Sequence, residues 1–124
     1  MNSVKSIVAW ILRLLLAALF AIQGIIKLNG SPAWISRFSG WGYPDHFYLA
    51  VGVAELLGAI GLLIPRLASP GALVLIVVMM GATATHLVHR EPQVVTTLVL
   101  LALLVTALVM HTARPRKPQA RAGG

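Results

Sequence analysis

The residue most suited to chemistry in this sequence is a glutamate inside an apolar segment. Glu55 lies in GVAELLGAIGLLIP, residues 52–65, where the other thirteen residues are apolar, glycine or proline. A carboxylate in such surroundings is costly unless it takes up a proton or finds a cation. Glu55 is therefore a candidate either for proton chemistry or for an ion pair that fixes the register of two helices.

Arg13 is the cation that we expect to pair with Glu55. It begins a stripe with helical spacing, which continues through Leu16, Phe20, Gln23 or Gly24, and Lys27. Every polar side chain of the apolar run at about residues 7–28 lies on the stripe, so the stripe is expected to face protein rather than lipid. Glu55 lies near the middle of a second apolar run, at about residues 46–64. If the midpoints of the two runs are level in the membrane, Arg13 lies about 6 Å from Glu55 along the helix axis. The alternatives are an Arg13 that extends to the membrane surface and a neutral Glu55 that donates to a backbone carbonyl.

A second set of polar and aromatic residues could bind the head group of a ligand. His86 and His89 share a helix face in an apolar run at about residues 70–89. Their distances from the middle of that run match the distances of Gln23 and Lys27 from the middle of the run at 7–28. We predict a pocket for a group with carbonyl or hydroxyl oxygens, such as a quinone, in which Lys27 or His86 donates to an oxygen. Its residues would be Gln23, Lys27, Trp41, Tyr43, His86 and His89. The alternative is an ordinary polar rim at the membrane surface.

The same residues argue against a metal or haem site. Two histidines on one helix face supply half of a typical zinc site, and axial haem ligands must approach from opposite sides of the ring. The sequence has no cysteine, which excludes disulfides, thiol nucleophiles and cysteine-ligated clusters in this chain. We predict no metal, and a quinone is the one cofactor that the sequence leaves open.

Membrane-spanning helices must position these residues. Of the 124 residues, 58% are hydrophobic and only 10% are charged, whereas soluble domains have about 25% charged residues. Four apolar runs approach the length that crosses a bilayer as a helix, at about 7–28, 46–64, 70–89 and 93–111. Because the connectors between the last three are short, we predict an all-α, up-down bundle of four transmembrane helices in residues 1–112. Residues 113–124 are predicted to be a basic, disordered cytoplasmic tail.

The longest connector, between the first two runs, predicts a short helix. Trp34, Ile35, Phe38 and Trp41 recur at helical spacing, with polar or small residues on the other side. This pattern is typical of an amphipathic helix that lies in the membrane interface. Its aromatic face would serve either as an anchor or as a lid over the predicted pocket.

The order of these features resembles the DoxX family of small four-helix membrane proteins, in its DoxX-like branch. The resemblance rests on Arg13 and on the segments FAIQGIIKL, FSGWGYP, AELLGAIGLLIPR and GATATHL. It implies an integral membrane protein. Some members of the family belong to membrane-bound redox systems, including a thiosulfate:quinone oxidoreductase subunit. The arginine, lysine and glutamate positions of the family would correspond to Arg13, Lys27 and Glu55.

Three classes of function fit these observations. The first is a subunit or accessory protein of a quinone-linked redox system, and the second is a non-catalytic assembly or structural subunit. The third is a small-molecule transporter, which should show helices broken near mid-membrane. We expect a multi-pass protein of the plasma or inner membrane that contacts lipid and no nucleic acid. Membrane or redox-complex partners, a homo-oligomer and enzymatic activity are left open.

The distribution of basic residues predicts the topology. With both termini in the cytoplasm, that side holds Lys5, Arg66, Arg114, Arg116, Lys117 and Arg121, while the other side holds Lys27, Arg37 and Arg90. Because cytoplasmic loops carry the excess of Lys and Arg, both termini should be cytoplasmic. A reporter fused after residue 124 should give a cytoplasmic signal. A signal from the opposite side of the membrane would contradict this orientation.

Overall fold

The structure, a computed structural model, describes residues 3–112. It contains five α-helices: α1 (Ser3–Leu28), α2 (Pro32–Gly40), α3 (Phe47–Leu63), α4 (Ala68–Val88) and α5 (Val94–Thr112). A single 3-10 turn, Pro65–Leu67, precedes α4, and no strand occurs among the described residues. The predicted all-α fold is confirmed, as is the short helix in the long connector. The predicted tail at 113–124 lies outside the described residues.

The four predicted spans correspond to α1, α3, α4 and α5. Three segments are long and apolar enough to cross a membrane: Ser3–Leu28, Pro65–Val88 and Val94–Thr112. The helix α3 is apolar but has only 17 residues, or about 25 Å at 1.5 Å per residue. It is therefore at the lower limit for crossing the hydrocarbon core.

One face of α1 packs inside the bundle. Its buried residues recur at three- and four-residue intervals: Ala9, Arg13, Leu16, Ala17, Phe20, Gly24 and Lys27. Large apolar side chains on the other faces, such as Leu14 and Leu15, are exposed, which suits contact with lipid tails. The prediction that the polar stripe faces protein is confirmed.

The long helices form an up-down bundle in the order α1, α3, α4, α5, and α5 also touches α1. The hydrophobic core includes Phe20, Leu62, Leu75 and Leu104, which are almost completely buried. One end of the bundle carries α2, and we call it the α2 end. At the opposite end, called the terminal end, α1 begins and α5 finishes.

Glycines bring α3 and α4 into backbone contact near the terminal end. A Cβ atom on Gly71 of α4 would lie 2.9 Å from the carbonyl oxygen of Gly58 and 3.1 Å from the Cα of Gly61. Small residues form the buried face of α3, since Gly52, Gly58, Ala59 and Gly61 are all buried. Such close approach is needed in lipid, where the hydrophobic effect does not drive helices together.

This contact predicts opposite effects for two glycines of α4. Gly71→Ala should lower the free energy of unfolding by about 1–3 kcal/mol, the usual cost of overpacking a tight core. Gly81→Ala is the matched control, because no neighbouring atom of the described residues lies within 4 Å of a Cβ atom there. Alanine favours a helix over glycine by up to about 1 kcal/mol, so this variant should be neutral or slightly stabilised. Equilibrium unfolding in mixed micelles measures both variants, and equal losses would contradict the close contact at Gly71.

Candidate functional site

Three helices finish at the α2 end with the same backbone turn. The chain reverses through a residue with positive φ after each helix: Gly30 after α1, Gly42 after α2 and Arg90 after α4. In each turn the following residue donates its N–H to the carbonyl five residues earlier, as in a Schellman motif. These turns place Tyr43 and Glu91 back over the ends of α2 and α4.

Glu55 forms an ion pair with Lys27 of α1. Lys27 Nζ lies 2.8 Å from Glu55 Oε1, and both side chains are only 4% exposed. Among the described residues, Oε1 has no other polar partner. Lys27 Nζ also lies 3.9 Å from the centre of the Trp34 ring. The ion pair therefore joins α1 to α3, and the ammonium also contacts α2.

The predicted pairing of Glu55 with Arg13 is wrong. Arg13 Nε donates to the carbonyl oxygen of Leu62 at 2.8 Å, and the guanidinium lies 4.1 Å from the centre of the Trp10 ring. Leu62 follows Glu55 by seven residues, or about 10 Å along the helix. It belongs to the last turn of α3, where carbonyls lack helical partners. Arg13 thus caps α3, where a cation also interacts favourably with the helix dipole.

Helix register explains the difference. Level midpoints would align the helices only if they had similar lengths, but α1 has 26 residues and α3 has 17. The close contact between Gly24 and Gly52 sets the register, because a Cβ atom on Gly24 would lie 2.8 Å from the Gly52 carbonyl oxygen. Lys27 then lies beside Gly52, one turn from Glu55. The extra turns of α1 extend toward the terminal end.

A cavity of about 600 Å³ occupies the half of the bundle near α2, and all five helices contribute to its wall. Both members of the ion pair line it. So do five of the six residues predicted for the head-group pocket: Gln23, Lys27, Trp41, Tyr43 and His86. The sixth, His89, is exposed and is not among the lining residues. Its Nδ1 donates to the carbonyl oxygen of Thr85 at 2.8 Å.

The helix α2 covers the cavity with an aromatic cluster. Phe38 is buried at its centre, and five rings surround it with centroid distances between 5.3 and 6.5 Å: Trp34, Trp41, Tyr43, Phe47 and Tyr48. Because Trp34, Phe38 and Trp41 also line the cavity, this placement fits the lid better than a simple surface anchor.

Glu91 connects the loop after α4 to the loop after α2. His86 Nδ1 donates to Glu91 Oε1 at 2.7 Å, and Trp41 Nε1 donates to Glu91 Oε2 at 3.3 Å. The hydrogen bond from His86, with a smaller effect from Trp41, lowers the pKa of Glu91 below its ordinary value of 4.5. Glu91 is therefore ionised at neutral pH and holds Trp41 in an edge-to-face contact with the His86 ring, with 5.5 Å between centroids.

The cavity wall offers both hydrogen-bond donors and an acceptor. The Lys27 ammonium has three N–H groups, so its contact with Glu55 leaves others for a ligand oxygen. With Nδ1 of His86 bound to Glu91, the other ring nitrogen, Nε2, can accept a hydrogen bond when the imidazole is neutral. The site can thus donate to a carbonyl oxygen and accept from a hydroxyl group.

Sequence reasoning missed some residues of this site. From the sequence, neither Glu91 nor Glu55 is assigned to the pocket, and Trp34 is assigned only to the interfacial helix. One signal was present, because the chain has only three acidic residues. An acidic residue close to the residues of the predicted pocket is therefore a strong candidate for a structural or chemical role.

The fold and the site define a helical membrane protein with an internal cavity under an aromatic cover. The model of the DoxX-like family matches residues 11–112. The chain belongs to this family, as its sequence motifs had indicated. Comparisons with curated proteins and with solved structures gave no match.

The ion pair predicts strong coupling between Lys27 and Glu55. Lys27→Met and Glu55→Gln should each lower the free energy of unfolding by up to about 5 kcal/mol, because each leaves a buried charged group without its partner. The double variant should lose less than the sum of the two single losses. Equilibrium unfolding in mixed micelles gives the three free energies.

The matched control is the same cycle with Arg13→Met in place of Lys27→Met. Arg13 contacts α3 about 10 Å from Glu55 along the helix, so the effects of Arg13→Met and Glu55→Gln should add. Coupling to Arg13 with additivity at Lys27 would contradict the register described above.

Proposed function

We propose that the cavity binds the ring of a membrane-soluble quinone, and that the protein is a subunit or accessory protein of a quinone-linked redox system. One observation carries the proposal: the buried Lys27–Glu55 pair forms part of a cavity wall beneath an aromatic cover. A pair needed only for helix register could lie within the packed core. Its place in the cavity wall leaves the ammonium available to a ligand.

The polar groups of the wall match the oxygens of a quinone. Lys27 would donate to a ring carbonyl, and His86 would accept a hydrogen bond from the hydroxyl of the reduced form. Away from water such charge-assisted contacts are stronger than in solvent. The two oxidation states of the ring would therefore be recognised by different groups.

The shape of the site also suits a planar ring. A volume of about 600 Å³ is within the usual range of about 300–1,000 Å³ for ligand sites. Trp34, Trp41 and Tyr43 line the cavity, and aromatic faces favour offset stacking or edge-to-face contact with a second ring. Apolar side chains supply much of the remaining wall.

A partner subunit would complete the redox role. Since the chain has no cysteine, no thiol of its own exchanges electrons with the ring. We assign to this chain the binding of the quinone and the positioning of its hydrogen bonds, and to a protein partner the transfer of electrons. The proposed location is the plasma or inner membrane, with both termini cytoplasmic.

Photolabelling in nanodiscs tests the proposal. A photoreactive 1,4-benzoquinone without a hydrocarbon chain should label peptides around residues 19–27, 34–43 or 77–86, and excess unmodified benzoquinone should suppress this labelling. A photoreactive benzene of similar size is the control, and its labelling should resist the same competitor. Quinone labelling that is confined to lipid-facing residues, or is insensitive to competitor, would contradict a quinone site. These polar residues would then form only a polar rim at the membrane surface.

The role of Lys27 can be measured in the same assay. Lys27→Met should weaken competition by benzoquinone about tenfold to a hundredfold, because a hydrogen bond to a charged group contributes about 1.5–3 kcal/mol. Met80→Phe on the lipid-facing side of α4 is the control and should leave competition unchanged. Circular dichroism checks that each variant remains helical. Undiminished competition in a folded Lys27→Met protein would contradict the assigned donor.

A further inference from the structure

We infer that the ligand carries a hydrocarbon chain, and that this chain leaves the cavity through a lateral mouth between α3 and α4. This inference rests on the proposed function, which places the quinone ring in the cavity. It adds a ligand class, a ring head group on a flexible apolar chain, and it names the residues that select it.

The two helices are in contact near the terminal end, and both line the cavity toward the α2 end. Near the terminal end, a Cβ atom on Gly71 would lie within about 3 Å of two α3 glycines. Gly81 lies ten residues further along α4, or about 15 Å at 1.5 Å per residue. Among the described residues, no packing partner lies within 4 Å of a Cβ atom there, and Gly81 lines the cavity together with Val78 and Ala82 of α4 and Ala50 and Ala54 of α3. The cavity therefore extends to the space between the two helices, on the α2 side of the glycine contact.

Three residues indicate where the cavity reaches the lipid-facing surface between α3 and α4. Ala50 of α3 and Val77 and Gly81 of α4 all line the cavity, yet all three are exposed, Val77 by 67%. A residue that belongs to both the cavity wall and the outer surface marks a mouth. Because these residues are small or apolar, the mouth suits a hydrocarbon chain.

The cavity wall also reaches the surface between α1 and α5, but that side is more polar. Its exposed lining residues include Gln93 and Thr96 of α5 beside Leu19 of α1, and the half-buried Gln23 lies on the same side. Amide and hydroxyl groups would lose hydrogen bonds against a hydrocarbon chain. The chain is therefore assigned to the side between α3 and α4.

Photolabelling with a chain-bearing quinone tests the assignment. The probe is a 1,4-benzoquinone with a ten-carbon chain that carries a diazirine close to the ring, bound to the full-length protein in nanodiscs. Labels should fall around residues 50–54 and 77–81, and excess chain-bearing quinone should suppress them. Competitor-sensitive labels around residues 19 and 96 instead would overturn the inference.

A variant of the mouth gives a second, independent readout. Gly81→Phe should lower the affinity for the chain-bearing quinone by roughly tenfold or more, relative to its effect on the affinity for the chainless ring. This is the discrimination typical of one misfit group in a hydrophobic site. Met80→Phe is the matched control, since Met80 is the next residue, is exposed to lipid and lies outside the cavity wall. It should change neither affinity. Equal affinities of Gly81→Phe and wild type for the chain-bearing quinone would overturn the inference.

The two proposals fail in different ways. If the chainless ring does not bind the wild-type protein, the proposed function fails. If the ring binds and the chain labels the side between α1 and α5, only the assignment of the mouth fails.

Discussion

The buried contact between Lys27 and Glu55 is the constraint on which the α2 end depends. In a bilayer neither charge can be satisfied by water, so each requires the other within hydrogen-bond distance. The 2.8 Å separation of Nζ and Oε1 in turn requires α1 and α3 to approach closely, which Gly24 and Gly52 permit. Trp34 adds a ring 3.9 Å from the ammonium and so ties the cover of the cavity to the pair. Register, helix spacing and the position of α2 are thus linked through one interaction.

The loops at that end depend on backbone turns of one kind. Gly30 and Gly42 adopt positive φ without strain, whereas Arg90 does so with a side chain, at a cost of about 1–2 kcal/mol for a residue with a Cβ atom. What the Arg90 turn achieves is the position of Glu91, whose carboxylate accepts hydrogen bonds from both His86 and Trp41. A local conformation that is unfavourable by itself is thus maintained by contacts between two loops. Local strain of this kind is common around functional sites.

Periodic and compositional features were predictable from the sequence, and the exact register was not. The stripe on α1 follows from helical spacing and identified Lys27 as inward-facing. The cost of a carboxylate in apolar surroundings identified Glu55 as a group that needs a partner. The choice between Lys27 and Arg13 as the partner depended on how two helices of unequal length align, which composition does not determine. Glu91 was missed for a related reason, since its role depends on the conformation of Arg90. Position along each helix axis was enough to place Gln23, Lys27 and His86 in one layer, but not to recognise that His89 lies outside the cavity wall.

The contact between α3 and α4 near the terminal end and the contacts around the cavity depend on different physics. Near the terminal end, α3 and α4 meet through glycines, so dispersion contacts between backbones hold them together without any hydrophobic drive. Toward the α2 end, both helices line the cavity, and an ion pair, hydrogen bonds and aromatic contacts hold α1, α2, α3 and the loop after α4 around it. Directional contacts of this kind can surround an open volume, whereas close backbone packing cannot. A molecule that occupies this volume and binds only the folded chain would stabilise it. Binding at the α2 end is therefore coupled to the stability of the contacts that surround the cavity.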